Sequence, residues 1–587
     1  PRVGLEMLST DGTPVSKAKA IGWREWSKDA FEEAKKGNKL VLLDLSAVWC
    51  HWCHVMDSTT YSDPDVIAAI NDNFIPVRVD IDRRPDISER YNRGGFPTTA
   101  FLSCLGESVW GATYVPPADM KRITKAILDA KASGEIDSAL ERGRLRYLDI
   151  SKPLQKKQIA DSEFITTLFE DIFSVYDFEH GGFGVAPKFP HPDVVNLLLQ
   201  RYAHDLDNEL AEAVTNTLDR MTKGLYDIVE GGVFRYSVTR DWREPHYEKM
   251  LETNAGFLRN LIHALKILGH EKYAATARGV ANYLLNSLRD SVGGGFCGSQ
   301  DADEDYYRLS AKDRLEGQTP AVDRSVFAGW NSEAVVALLE AGVALRERSY
   351  VDAAMAAWHY TVRQLWNPQI GLVRHLEGQE TYLFADQVSF FESLLAVLEL
   401  SRNEQPLEIA ARLLEGVHKA FAYPDGGYAD VMKNEDEIGE LANPRRPLVE
   451  NSKWSMALAS FAMASHDASH IENAWKILRS FTSKDVEAHG LFAAPFISAW
   501  WVLERGPMRV EIHDSKADDA LESDLWLAAK GSMNPGVIVI MAHEDGVQCG
   551  PKDRPSAVVC TTSGCLGKIA DSKDLVAKLS SIQSSQV

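Results

Sequence analysis

Cys50 and Cys53 stand in the run WCHWCHVM, separated by two residues, a spacing that lets two thiols make and break one disulfide. The preceding segment 39–48, KLVLLDLSAV, is short, branched and aliphatic, is bounded by the polar KKGN, and predicts a buried strand. A helix starting at Cys50 sets that thiol against unpaired backbone N–H groups and the positive end of the helix dipole, with Cys53 one turn inside. A free thiol near pKa ~8.5 falls to roughly 7 or below in such a motif, so Cys50 is expected to attack and Cys53 to resolve. Cys50-His51-Trp52-Cys53-His54 also matches the haem-attachment pattern and offers zinc ligands. Haem attachment wants an exported protein, and four ligands within five consecutive residues cannot all face one tetrahedral metal, so no cofactor is expected.

A second set of reactive side chains lies far downstream. Arg235, Tyr236, Trp242, His246 and Glu248 crowd one segment ahead of a helix. His246 and Glu248 can form an acid/base pair, with Trp242 as a stacking floor for a sugar ring. Asp301 and Asp303 can act as a glycosidase-like pair where a third group sets their separation, or can hold hydroxyls. Lys188 in APKFP reads as a rim charge. The plainer readings are caps and turns for loop carboxylates and core packing for a tryptophan at a helix start.

The elements that must position these groups fall into two patterns. After the dithiol come a helix (DPDVIAAINDNF), a strand (IPVRVDI), a helical stretch (DISERYN) and GGFPTTAFL, the element order of a thioredoxin. From about 155 to 505 the chain changes to repeated amphipathic helices with apolar residues three and four apart, such as NAGFLRNLIHALKIL and NSEAVVALLEAGVAL. Glycine-bearing turns punctuate it at 180–184, 230–234, 293–298, 370–373, 425–430 and 489–492. Their spacing of about 50 to 77 residues holds two helices each, which predicts six hairpins closing into an all-α (α/α)6 toroid with a central funnel. Residues 506–587 carry two short strands, AVVCTTSGC and a final helix, a small α/β appendage in which Cys560 and Cys565 can form a disulfide, exchange with Cys549, or stay reduced. The expected division is an arm 1–22, a thioredoxin-like domain 23–150, the barrel 151–505 and the appendage 506–587.

Bulk properties bound the function. With 587 residues, 45% hydrophobic and 25% charged, the chain reads as a large soluble multidomain protein. A net charge of -21 without clustered Lys and Arg argues against nucleic-acid binding. No eighteen-residue apolar run exists, so no membrane insertion is expected. Seven sparse cysteines suggest a reducing compartment, cytoplasm or organelle matrix, a processed N-terminus being compatible with the initial Pro.

Asp44, six residues before Cys50, stands where thioredoxins keep a buried acid that assists proton transfer, and Pro97 where they keep a cis-proline against the dithiol. The strings SAVWCHWCHVM, VDIDRRPDI, GGFPT, GGFGVAPKFP, FRYSVTRDWREPHYEKML, DADEDYY, GWNSEA and VVCTTSGC together resemble the spermatogenesis-associated thioredoxin-like family. That resemblance implies a thioredoxin-like domain fused to a barrel similar to N-acylglucosamine 2-epimerases and six-hairpin glycosidases. It places Trp330, Asn331 and Asp386 at starts of inner helices facing the funnel. It implies a redox partner protein and a carbohydrate-like ligand, with sugar epimerisation, isomerisation or hydrolysis as the alternative activity. Phe234, Ser325, Gln387 and Glu450 depart from the family pattern, where relatives show His, Lys, Tyr and Gly; the first two remove proton-transfer groups. A non-enzymatic scaffold with a degenerate barrel is therefore the third reading.

Overall fold

A computed structural model describes residues 17–150, 160–432, 437–517, 519–531, 536–542 and 554–585. The chain divides into two compact units, one of residues 1–156 with 433–444, the other of 157–432 with 445–587.

In unit 1 the helix α1 (Lys28–Lys36) leads into β1 (Leu40–Ser46), then α2 (His51–Ser58), α3 (Pro64–Asn73), β2 (Phe74–Asp80), α4 (Pro85–Tyr91), β3 (Thr98–Leu102), β4 (Ser108–Ala112), α5 (Pro117–Ala132) and α6 (Glu135–Ile150). The sheet runs β2-β1-β3-β4, with β1 parallel to β2 and antiparallel to β3. Val41, Leu42, Leu43 and Leu45 on β1 are fully buried. An apolar strand broken only by Asp44 before its final Ser46 suits a central position covered on both faces. The described residues of 433–444 fold against the same unit: the Glu440 N–H donates to Tyr91 Oη and Arg90 Nε donates to the Glu440 carbonyl. Gly439 makes this approach possible, at φ 61° and with a Cβ position 2.4 Å from Tyr91 Oη.

Unit 2 is helical except for short ribbons and a small C-terminal sheet. In chain order come α7 (Ser162–Ser174), α8 (Pro192–Asp205), α9 (Asn208–Leu225), α10 (Leu251–Leu268), α11 (Lys272–Tyr283), the short α12 (Glu304–Tyr307) and α13 (Ala311–Glu316), α14 (Ala328–Leu345), α15 (Arg348–Tyr360), α16 (Phe384–Leu400), α17 (Gln405–Phe421), α18 (Leu448–Ser465), α19 (Ser469–Leu478), the short α20 (Ser483–Glu487) and α21 (Ala494–Arg505). Helices α8, α10, α14, α16, α18 and α21 pack each on the next, and α21 packs back on α8, closing a ring of six. The outer helices α9, α11, α15, α17 and α19 each pack behind the inner helix that precedes them, and α7 packs behind α21. This is the expected (α/α)6 toroid. Inner helix α14 is buried on nearly every side, which is why its sequence is apolar around most of its circumference.

The glycine turns all join an outer helix to the next inner helix, and one device recurs at four of them. The side-chain amide of the fourth residue of an inner helix clamps the backbone just after the turn. Asn254 Oδ1 accepts from the Val233 N–H while its Nδ2 donates to the Val233 and Met250 carbonyls. Asn331 does the same with Phe296 and Phe327, Gln387 with Val373 and Leu383, and Asn451 with Tyr428 and Pro447. All four amides are buried and saturate main-chain groups that would otherwise be lost in the core.

The C-terminal segment adds strands Met508–His513, Val537–Met541, Ser556–Thr561 and Gly564–Cys565 and the helices α22 (Asp524–Gly531) and α23 (Ser572–Ser585). It covers the C-terminal ends of inner helices: Glu399, in the last turn of α16, accepts from the Val539 N–H at 2.9 Å and from Lys530 Nζ at 2.8 Å. Trp526 Nε1 donates to the Glu399 carbonyl, and Lys266 on α10 to the Lys530 carbonyl. No helix among the described residues is long and apolar enough to cross a membrane.

Candidate functional site

The dithiol sits where the sequence places it. Cys50 is the N-cap of α2, with extended backbone, and its Sγ accepts from the Cys53 N–H at 3.2 Å. Cys50 and Cys53 are joined as a disulfide, and both are buried. Trp49 is held beneath them by a bond from Nε1 to Asp82 Oδ2 of 2.6 Å, while Trp52 projects outward, half exposed, against Tyr114. The Phe96–Pro97 peptide is cis, and Pro97 is buried at the start of β3.

Asp44 lies on β1 beneath this loop, 1% exposed. The residue that defines its surroundings is Arg78, which sequence reading did not single out. Arg78 is opposite Asp44 in the β1–β2 register; its Nε meets Asp44 Oδ2 at 2.6 Å and its Nη2 meets Asp57 Oδ1 at 2.5 Å. Tyr61 Oη donates to Asp44 Oδ1 at 3.2 Å. Burial pushes the Asp44 carboxyl above its ordinary value, and Arg78 opposes that shift. The signal available in the sequence was the alternation of VRVD, which puts a charged Arg78 on a strand facing an acid.

In unit 2 the segment around His246 forms a narrow ribbon in which Tyr236 pairs with His246. The His246 ring stacks on Tyr236 at 4.8 Å, and Tyr236 stacks on Phe189 at 4.6 Å. His246 Nδ1 is hydrogen-bonded to Glu248 Oε2. Glu248 is fully buried, and its Oε1 meets no hydrogen-bond partner among the described residues. Arg235 carries the other side of the ribbon, its N–H donating to the His246 carbonyl.

Several expected funnel groups have other work. Trp242 is not a stacking floor: it is 1% exposed and donates from Nε1 to the His180 carbonyl at 3.0 Å beneath the 180–184 turn. Lys188 is not a rim charge: it is fully buried, bonded to Asp177 Oδ2 and the Gly181 carbonyl. Lys249 repeats this arrangement one hairpin later, on Asp227 and the Gly231 carbonyl, so both lysines plug the glycine turns. Asp303 caps α12 by accepting from the Tyr306 N–H, and Asn331 is an amide clamp. Trp330 packs edge-on to Phe327 and is partly buried. Asp301 is partly exposed, and its Oδ1 accepts from the Ala302 N–H. Asp386 is buried between His375 Nδ1, at 2.9 Å, and the Gly329 N–H, at 3.0 Å.

Apart from Glu450 and Arg235, the charged groups that meet in the toroid interior are ones sequence reading passed over. Because the inner helices form a closed ring, charges on non-adjacent helices interact across its lumen. Lys453 on α18 pairs with Asp193 on α8 at 3.1 Å and attracts Glu333 on α14 and Glu392 on α16. Glu252 on α10 and Glu450 on α18 stand in the first turn, Glu333 one turn deeper, and Glu392 about one turn beyond it. Desolvation within the ring raises the carboxyls of Glu252, Glu392 and Glu450 and pushes Glu333 up to about 7; Arg235 and then Lys453 oppose the rise at Glu252, Lys453 opposes it at the others, and neighbouring carboxylates add to it at Glu333, Glu392 and Glu450. Deeper still, Glu340 meets Arg259 Nε at 3.2 Å and His263 Nε2 at 2.9 Å, and His263 Nδ1 meets Asn196. The lumen is thus a stack of polar layers inside an apolar ring. The signal for it was a carboxylate in the middle of an apolar helical run, as Glu392 in VSFFESLLAVLEL.

Residues 14–133 match the family Thioredox_DsbH, described as a protein of unknown function, DUF255. The chain is 29% identical over 371 residues to spermatogenesis-associated protein 20 of Mus musculus, covering 59% of this chain and 46% of that protein. It is 28% identical over 390 residues to the Homo sapiens protein of that name, covering 61% and 48%. It therefore spans about half the length of these curated relatives. Thioredoxin H7 of Arabidopsis thaliana is 33% identical over 86 residues, 15% of this chain and 62% of that protein. Among solved structures, the chain is similar to cellobiose 2-epimerase from Spirochaeta thermophila, at 18% identity, 54% of this chain, 83% of that chain and TM-score 0.45. A family 76 mannosidase from Bacteroides thetaiotaomicron matches at 11% identity, 58% of this chain, 97% of that chain and TM-score 0.43. Over these stretches the chain is similar to the proteins named spermatogenesis-associated protein 20, and it sets a thioredoxin-like region ahead of a helical (α/α)6 barrel.

Proposed function

We propose that Cys50 and Cys53 carry out thiol–disulfide exchange with a partner protein, in the cytoplasm or an organelle matrix. The observation that carries this reading is Cys50 Sγ as the N-cap of α2, accepting from the Cys53 N–H, which stabilises a Cys50 thiolate once the disulfide is reduced. Reduced Cys50 attacks a partner disulfide and releases one partner thiolate; Cys53 then attacks Cys50 Sγ and frees the second. Asp44, raised by burial, takes the Cys53 proton in the second step. The test is insulin reduction with a dithiol redox titration, on the wild type and on Cys50→Ser. A couple between about -120 and -300 mV that vanishes in Cys50→Ser supports the reading, and absence of any such couple removes it.

A second reading attaches to the barrel, because its lumen sets Glu333, with a carboxyl near neutrality, within reach of the charges of Lys453, Glu252 and Glu392, and the Ser389 hydroxyl donates to it at 3.3 Å. We propose that the lumen holds a hydroxyl-rich, sugar-like ligand and that Glu333 exchanges a proton with it. Calorimetric titration with a panel of aldoses and β-linked disaccharides, with solvent-deuterium incorporation as the activity readout, tests this on wild type and Glu333→Gln. No binding across the panel discards the ligand; binding without isotope exchange discards the catalysis.

A further inference from the structure

The C-terminal sheet ends, among the described residues, in a two-residue strand whose Cys565 lies directly opposite Cys560. The two are joined as a disulfide with Cα atoms 3.9 Å apart. The Leu566 N–H donates to the Val559 carbonyl, so 559 and 566 form a hydrogen-bonded pair. In an antiparallel ladder the neighbouring pair is then non-hydrogen-bonded, and the Cys565 N–H and C=O point away from its partner strand toward a sheet edge that no strand among the described residues covers. Cys565 is exposed, as are Thr562, Ser563 and Gly564, while Cys560 is half-buried.

This bond restrains little. It closes a loop of only four intervening residues, and the stabilisation from a disulfide grows with loop length. The same turn is already held by Thr561 Oγ1 to Ser563 Oγ and to the Gly564 carbonyl. What the hairpin does offer is an exposed cysteine in an extended segment whose outward main-chain groups meet no partner among the described residues. A thiol oxidoreductase can hold such a substrate as an added strand.

We propose that Cys560–Cys565 is a second thiol–disulfide exchange site, and that its reaction partner is a thioredoxin-class dithiol. Where that dithiol is Cys50/Cys53 of another copy, the proposal rests on the reading of those cysteines above. The reduced dithiol's thiolate attacks Cys565 Sγ, the Cys560–Cys565 bond breaks, and Cys560 leaves as a thiolate that takes up a proton. The second thiol of the reductant then attacks the mixed disulfide, releasing Cys565. Two electrons pass: the reductant ends as a disulfide and the C-terminal pair as two thiols.

The experiment uses full-length chains. The acceptor is Cys50→Ser/Cys53→Ser, oxidised at Cys560–Cys565; the donors are reduced Cys560→Ser/Cys565→Ser and, separately, free thioredoxin kept reduced by its reductase and NADPH. Differential alkylation with peptide mapping should find both Cys560 and Cys565 converted to thiols in the folded acceptor. Thioredoxin with its resolving cysteine replaced should form a mixed disulfide on Cys565, lost in an acceptor that also carries Cys565→Ser. If thioredoxin reduces insulin under the same conditions but leaves Cys560–Cys565 oxidised, the proposal is overturned. If thioredoxin reduces the acceptor while the chain's own donor reduces neither acceptor nor insulin, this site stands and the reading of Cys50/Cys53 falls.

Discussion

Arg78 and Asp44 face each other on neighbouring parallel strands, guanidinium Nε to carboxylate Oδ2 at 2.6 Å, with Asp57 on the far side of the same guanidinium. One cation therefore neutralises two buried acids under the dithiol loop. Replacing Arg78 by Met leaves both acids without it, and breaking a buried ion pair from one side costs about 3–5 kcal/mol. Urea unfolding of unit 1, followed by tryptophan fluorescence, should show a loss of that size. Asp44→Asn should cost less, and should instead alter the pH profile of disulfide exchange.

The buried Lys188–Asp177 pair gives a second prediction. Burial alone would raise the Asp177 carboxyl, but hydrogen bonds from Arg240 and Lys188 outweigh it and hold the group well below its ordinary value. A carboxyl depressed in the folded state contributes stability that is present above its unfolded pKa, about 3.9, and is lost as pH falls through the lower folded value. Acid titration of thermal stability should show this loss in wild type and not in Asp177→Asn. Lys188→Met should cost about 3–5 kcal/mol and leave any sugar affinity of the folded protein unchanged.

Glu333 has the opposite sign. Its carboxyl, raised to about 7 by burial, binds a proton more tightly in the folded than in the unfolded chain. Its contribution is fully present below the unfolded value near 4.3 and is lost as pH rises through about 7. Melting temperature measured between pH 4.5 and 8 should therefore fall more gently in Glu333→Gln than in wild type, with the two curves diverging above pH 5.

The amide clamps predict a purely structural phenotype. Asn451→Leu deprives the Tyr428 N–H and two carbonyls of their partner, and leaving a buried polar group unsatisfied costs about 1–3 kcal/mol each. Calorimetric unfolding should record the loss. Asn331→Leu should behave alike at the 293–298 turn.

Local features were legible in the sequence because their causes are local. The dithiol spacing, the aliphatic strand before it and the period of the helices predicted a thioredoxin-like region and six hairpins, and the ring of inner helices has that count. Trp242, Lys188, Asp303 and Asn331 were read as funnel groups because polarity and aromaticity look alike in a string whether a side chain faces a lumen or props a turn. Cys560 and Cys565 could be read as reduced or joined; the hairpin register brings them opposite each other. Cys549 lies outside the described residues.

The sequence by itself determined the elements and the order of the chemistry: a nucleophile at a helix start, helices in pairs, glycines at the turns. Backbone periodicity and capping act over a few residues and are written in consecutive letters. Only the tertiary structure decided which charges meet. Arg78 reaches Asp44 through strand pairing across 34 residues, and Lys453 reaches Asp193 only because the ring closes. Those pairings depend on burial and on distances between segments remote in sequence, which no local pattern encodes.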